Sequence, residues 1–397
     1  MLPVATLLLV VVVLAAVTTT VSAARPSSPA SSLSVPGLPP VELRGAGSQL
    51  GAFDCLTFPA AKKPQFVVVF VPGNPGMPRF YCDFARMLCD RIGAKVVLLG
   101  LVGHLEASSS AQLSSGERTR TFNLEDQVNH VAERIQPFMQ EAAEHDVPFA
   151  LVGHSIGSWI ALRAAQKTCG HRQQQQKQQD VGSDGGVATS TRARSRASPV
   201  RRRRTSSGGS TIVASPRLLL LTPFLECPAC MEAESFRSKH RLWKRPVGVL
   251  PSIGDALIEP LGALAFIAQR LPESARRWIA RGSLTNLATP YDTLVVNELM
   301  HRGQVRNLLS LASDEFRTLD VQMDVASELG AMPARALYVP DDEWAPLAMA
   351  ESMKSQGLHV SILESDAQTT MKHAFSVQPG SCARVAEWAS NALKEMR

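Results

Sequence analysis

The sequence predicts an α/β fold: a mostly parallel sheet, helices on both faces, and a helical cap inserted late in the chain. Three observations predict it. Apolar, β-branched runs of strand length alternate with stretches of helical spacing. The runs are continuous rather than alternating, as expected of strands buried on both faces. One of them, Phe149-Ala150-Leu151-Val152, enters Gly153-His154-Ser155-Ile156-Gly157 and then the helix-like Ser158-Trp159-Ile160-Ala161-Leu162. A strand that enters a helix through so tight a turn pushes its central side chain out at the top of a sheet. Strand and helix approach closely there, so small residues are needed two before and two after the serine. A bare G-x-S-x-G arises by chance in about one in ten chains of this length. The strand before it and the helix after it make this one specific.

The elements follow in order. Gln65 to Val71 is a buried strand, ended by the loop Pro72-Gly73-Asn74-Pro75-Gly76. Phe80 to Leu88 has apolar residues at helical spacing, and Lys95 to Gly100 is the next strand. Asn123 to Gln140 is a helix with Leu124, Val128, Val131, Ile135 and Phe138 on one face. The serine strand follows, and Arg217 to Phe224 resumes the sheet. Strands at Ala334 to Val339 and His359 to Leu363 and a helix at Val385 to Met396 close the fold.

Two stretches interrupt it. Residues 171–210 hold a glutamine tract, Gly/Ser/Thr runs and an arginine run, and read as a disordered surface insertion. A nuclear signal or a contact for anionic headgroups are the competing readings. Residues 226–325 show no strand pattern and look helical. Within Val247 to Ala268, Pro251, Pro260, Asp255 and Glu259 argue against one membrane-spanning helix and for a helical hairpin. The hairpin is either a buried cap over a site or an apolar face that enters a lipid monolayer. Arg237, Lys239, His240, Arg241, Lys244 and Arg245, just upstream, could meet headgroups.

The chain has 397 residues, 45% hydrophobic, enough for one large α/β domain or two smaller ones. We place a single globular domain at 46–397. Ahead of it, residues 1–24 read as a signal peptide or signal anchor. Leu2 to Val21 carry no charge, and Val21-Ser22-Ala23 offers a small-residue cleavage pattern. The alternative is an unprocessed hairpin on a membrane or lipid surface. Residues 25–45, rich in Pro and Ser, read as a flexible linker. None of the seven asparagines lies in an N-x-[ST] sequon, which weighs against a glycosylated life outside the cell. Cytosol-facing attachment to the endoplasmic reticulum or a lipid surface stays open.

The net charge of +6 comes from Arg192, Arg194, Arg196 and Arg201 through Arg204; the remainder is close to neutral. The folded part therefore lacks the basic field that tracks nucleic acid. Of seven cysteines, Cys227 and Cys230 form a lone C-x-x-C with no second pair at zinc-finger spacing. Ordinary thiols are the plainer reading, a metal or redox pair the alternative. We expect no metal and no cofactor.

A serine hydroxyl needs a histidine to take its proton, and a carboxylate to orient and stabilise that imidazole. On an α/β-hydrolase sheet the chain order is serine, acid, histidine. Ser155, Asp342 and His373 occur in that order, the last two in loops at the carboxyl ends of strands. Asp341 and Asp366 are the competing acids. His373 is chosen because it lies after the last strand and before the last helix, whereas His104 and His130 precede the serine and His359 begins a strand. An oxyanion needs backbone donors already aimed at it. Ile156, after the nucleophile, supplies one. The loop after the first strand supplies the other, and Asn74 is the natural donor there because Pro75 has no N–H.

Pro72 to Gly76 with Phe80-Tyr81 and Phe84, Gly103-His104, Gly153 to Gly157, Leu221-Thr222-Pro223, Asp342-Glu343-Trp344-Ala345-Pro346 and His373-Ala374-Phe375 together resemble the lipid droplet-associated hydrolase family of serine hydrolases. The resemblance covers most of Phe66 to Phe375. It implies an α/β-hydrolase fold, a Ser155–Asp342–His373 triad, a location on lipid droplets and endoplasmic reticulum, and activity on lipid esters, with sterol esters proposed. The insertion after the nucleophile helix and the signal-like N-terminus depart from the family. Three functions are thus expected to compete: a lipid-ester hydrolase, an idle hydrolase fold that tethers to and remodels lipid surfaces, and an acyltransferase using the same serine.

Overall fold

In the computed structural model, residues 55–104, 121–183, 215–226, 253–283, 291–342 and 344–397 are described. The signal-like segment, the linker, the arginine run, the Cys227–Cys230 pair and the basic stretch upstream of Val247 lie outside them.

Strand β1 (Cys55–Phe58) is short and half-buried; β2 (Phe66–Val71) is buried at every residue. A single 3-10 turn, Pro78–Tyr81, leads into α1 (Cys82–Ile92), which stops at Gly93 in the left-handed conformation. After β3 (Ala94–Leu99), α2 (Leu124–His145) opens with a capping box: the Asn123 side chain accepts from the Asp126 N–H at 2.8 Å, and Asp126 accepts from the Asn123 N–H at 3.1 Å. Strand β4 (Phe149–His154) feeds α3 (Ile156–Ser183), and β5 (Arg217–Leu221) follows.

The sheet order is β1-β3-β2-β4-β5, then β6 (Ala334–Tyr338) and β7 (His359–Ile362). Only β1 pairs antiparallel among these described strands; every other pair is parallel. Side-chain alternation splits the core in two. Val67, Val69 and Val71 face α2 and α3. Phe66, Val68 and Phe70 face α1 and the C-terminal helix Pro379–Glu395. Each central strand is therefore buried on both faces, which is why its sequence is a continuous apolar run.

Between β5 and β6 lie α4 (Ile253–Ala268), α5 (Glu273–Ser283), a helical segment over 291–299, α6 (Arg302–Thr318) and the short α7 (Val325–Leu329). Helix α4 lies along α6. Asp255 takes Ser313 and Arg317, and Glu259 takes Arg302 and Arg306. None of the helices among the described residues is long and apolar enough to cross a membrane.

The sequence reading misplaces four features, among them helix Leu347–Ser355, which it does not predict. It misses β1, four edge residues too short to show a period. It ends the nucleophile helix before residue 171, yet α3 continues to Ser183; Gln, Lys and Arg are good helix formers and carry it into the glutamine tract. It expects a helical hairpin within 247–268, with Pro260 among the interruptions, yet α4 runs unbroken through that residue to Ala268. Pro260 is exposed, so its missing N–H removes one hydrogen bond on the solvent side.

Candidate active site

Strand β4 ends at His154, and the chain reverses at Ser155 with φ 54°, the left-handed region a side chain rarely enters. Such a conformation costs about 1–3 kcal/mol and persists only where neighbours enforce it. Here they do. The Ser155 N–H donates to Leu221 O at 3.0 Å, and Ser155 O accepts from Ser158 and Phe224 N–H groups at 3.0 and 3.1 Å. The glycines on either side permit the turn. A Cβ on Gly153 would lie 2.4 Å from Ser158 Cα, and one on Gly157 2.4 Å from the carbonyl oxygens of both Val71 and Pro72.

The three residues singled out by chain order meet. His373 Nε2 lies 2.9 Å from Ser155 Oγ, and His373 Nδ1 lies 2.7 Å from Asp342 Oδ2. Asp342 is acceptor-only, so Nδ1 carries the proton and Nε2 is left to accept from the serine. The other Asp342 oxygen accepts N–H groups from Trp344 at 2.7 Å and Ala345 at 2.9 Å. Burial by itself would raise the Asp342 pKa. The His373 charge, its hydrogen bond and the two backbone donors outweigh burial and hold the carboxyl below its usual value. The competing acids stand elsewhere: Asp341 is exposed, and Asp366 caps its own turn through Gln368 and Thr369.

Of the two expected oxyanion donors, Ile156 follows the serine and Asn74 follows Gly73, which packs on the serine turn. Ile156 opens α3, so its N–H has no partner within the helix. Gly73 lies over the turn, where an added Cβ would stand 2.8 Å from Ser155 Cβ and 3.0 Å from His154 O. Asn74 follows it, and its side-chain Nδ2 donates to Leu308 O at 2.9 Å.

Two residues do more than the sequence suggests. His154 Nε2 donates to the His373 carbonyl at 3.0 Å, so its Nδ1 is bare and accepts from the Tyr81 hydroxyl at 2.7 Å. Tyr81 in turn accepts the Gly73 N–H at 3.4 Å. This chain of hydrogen bonds runs from the loop over the serine to the backbone of His373. His154 stays neutral: burial first, then repulsion from His373, pushes its pKa down to about 3. Burial likewise pushes the Tyr81 hydroxyl up. No spacing in the sequence joins positions 81, 154 and 373; the packing of the 3-10 turn, the end of β4 and the loop after β7 does. Phe316 and Trp344 extend the apolar wall, with Trp344 6.4 Å from the His373 ring.

Comparison with known proteins agrees with this architecture. The family model described as lipid-droplet associated hydrolase matches residues 64–376. The chain is 35% identical over 103 residues to the lipid droplet-associated hydrolase of Drosophila melanogaster, a stretch covering 24% of this chain and 32% of that one. To the lipid droplet-associated hydrolase of Homo sapiens it is 27% identical over 113 residues, covering 27% and 35%. The matched stretches thus span about a third of each relative's length. The crystal structure of DBJA superposes with a TM-score of 0.50 at 13% identity, over 86% of this chain and 94% of that one. The fold is that of the α/β-hydrolases.

Proposed function

Since the chain belongs to the lipid-droplet associated hydrolase family, we propose that it is a serine ester hydrolase that cleaves lipid esters at a droplet or endoplasmic reticulum surface. The observation that carries this reading is the unbroken line Asp342 Oδ2, His373 Nδ1, His373 Nε2, Ser155 Oγ, at 2.7 and 2.9 Å. Ser155 Oγ attacks the ester carbonyl while His373 Nε2 takes its proton. The N–H groups of Ile156 and Asn74 hold the oxyanion. The carbon–oxygen bond to the alcohol breaks, His373 returns the proton to that alcohol, and an acyl-Ser155 remains. Water then attacks the acyl carbonyl, gives a proton to His373, and the acid leaves as Ser155 is reprotonated. Asp342 holds the imidazole in the working tautomer and stabilises it when charged. Sterol esters are the substrate class implied by the family resemblance.

A fluorophosphonate probe and a panel of lipid esters test this. The folded wild type should be labelled at Ser155 and should release fatty acid from at least one long-chain ester. A folded protein that takes no label rules the enzyme out.

The second reading, a lipid-surface tether, is favoured by one feature. On the consecutive helices α4 and α5, Phe266, Ile267 and Trp278 are 44%, 37% and 67% exposed. The Arg270 guanidinium lies 3.6 Å from the Phe266 ring centroid. Apolar side chains flanked by guanidinium groups suit the boundary between headgroups and acyl chains. Exchanging both Phe266 and Trp278 for Asp should weaken flotation with triolein–phosphatidylcholine droplets by at least about tenfold, given about 1.5–3 kcal/mol per buried aromatic. Hydrolysis of water-soluble p-nitrophenyl butyrate should be unchanged. Unaltered flotation would place the lipid contact elsewhere.

A further inference from the structure

Glu315 is a carboxyl group outside the triad, 4% exposed. It sits on α6, in the helical insertion, yet its Oε1 lies 3.2 Å from Nδ2 of Asn74 on the loop after β2. The same Nδ2 donates to Leu308 O, one and a half to two turns earlier on α6. Both N–H bonds of the Asn74 amide are therefore taken by the insertion. Beneath, Gly73 rests on the serine turn at near-contact distance. The peptide between residues 73 and 74 is held from both sides.

We infer that Glu315 is a positioning residue for the oxyanion site: by seating the Asn74 side chain it fixes the Asn74 main-chain N–H over the ester carbonyl. This rests on the hydrolase reading above. A donor misplaced by a fraction of an ångström loses most of its effect on an oxyanion, so the support behind it matters.

The protonation state of Glu315 fits the role. Burial pushes its pKa up; the Asn74 hydrogen bond pulls it down and the Asp314 charge pushes it up again, leaving it at about 8. Around neutrality the group is mostly uncharged, and it holds Asn74 without setting a negative charge beside an oxygen that becomes an oxyanion. The surrounding groups leave it without a counter-charge among those described. Asp314 is occupied with the Leu124 N–H at 2.8 Å. Asn74 is uncharged. His104, whose Nδ1 holds Pro75 O at 2.7 Å, is kept neutral by burial, with its pKa down at about 4. Arg306 and Arg317 of α6 turn to Glu259 and Asp255 of α4. As pH rises through about 8, Glu315 ionises and the new charge opposes the transition state.

The test uses the full chain, p-nitrophenyl butyrate between about pH 6 and 10, fluorophosphonate labelling, and melting temperatures to verify folding. Glu315→Leu should lower kcat about tenfold with KM within about twofold, a loss confined to the transition state. Glu315→Gln keeps the acceptor oxygen and cannot ionise. It should retain kcat within about threefold near neutrality, and it should lack the fall in kcat that the wild type shows above about pH 8. A Glu315→Leu protein with wild-type kcat, or a Glu315→Gln protein with the wild-type alkaline fall, overturns the inference while leaving the hydrolase reading intact. A folded wild type that neither labels nor turns over overturns both.

Discussion

Asp342→Asn should lower kcat by about 10⁴ while the protein stays folded. An asparagine at 342 can still accept the Trp344 and Ala345 N–H groups on one oxygen, so the loop keeps its anchor. Its amide would instead present N–H groups to His373 Nδ1. The imidazole then settles as the opposite tautomer, with its proton on Nε2, the nitrogen that faces Ser155 Oγ at 2.9 Å. A protonated Nε2 cannot take the serine proton, and the nucleophile is never formed. Turnover of p-nitrophenyl butyrate, fluorophosphonate labelling and a thermal melt read this out. Ser155→Ala should abolish labelling altogether. Wild-type kcat in a folded Asp342→Asn protein would remove the proton relay from the mechanism and leave the tether as the better reading.

Gly157→Ala has the largest expected effect on stability, above about 4 kcal/mol or outright failure to fold. The added methyl would meet two backbone carbonyl oxygens, those of Val71 and Pro72, at 2.4 Å. Neither can rotate away, because both belong to the end of buried β2 and its following turn. The natural comparison is Gly262→Ala on α4. There the methyl meets Arg306 Cγ at 2.7 Å, part of a flexible side chain, and the helix gains propensity. That substitution should change stability by less than about 1 kcal/mol. Urea unfolding of the two variants separates a backbone collision from a side-chain adjustment. Equal stability of both would mean that β2 and α3 leave room for a methyl between them.

The parts legible in the sequence are those governed by local rules. The buried runs of β2, β4 and β5 are visible because strands covered on both faces admit few polar residues. The glycines at 153 and 157 are visible because the serine turn leaves no room for Cβ atoms. The meeting of Ser155, Asp342 and His373 is legible as well, since chain order and strand ends limit the acid and the histidine to a few late positions. Strand β1 and helix Leu347–Ser355 were not: the first is four edge residues, the second nine residues of weak periodicity. The path of α4 through Pro260 was not either, because whether a proline breaks a helix depends on which face it occupies.

What the sequence determined by itself was the α/β class, the serine turn and the choice of late acid and histidine that meet it, because those follow from period, residue size and order along the chain. Tertiary structure alone decided that Tyr81 and His154 brace His373, and that Glu315 reaches across 241 positions of chain to Asn74. Hydrogen bonds between loops, turns and helices far apart in the chain leave no periodic trace, and burial, which sets the charge of His154 and Glu315, exists only once the helices have closed over them.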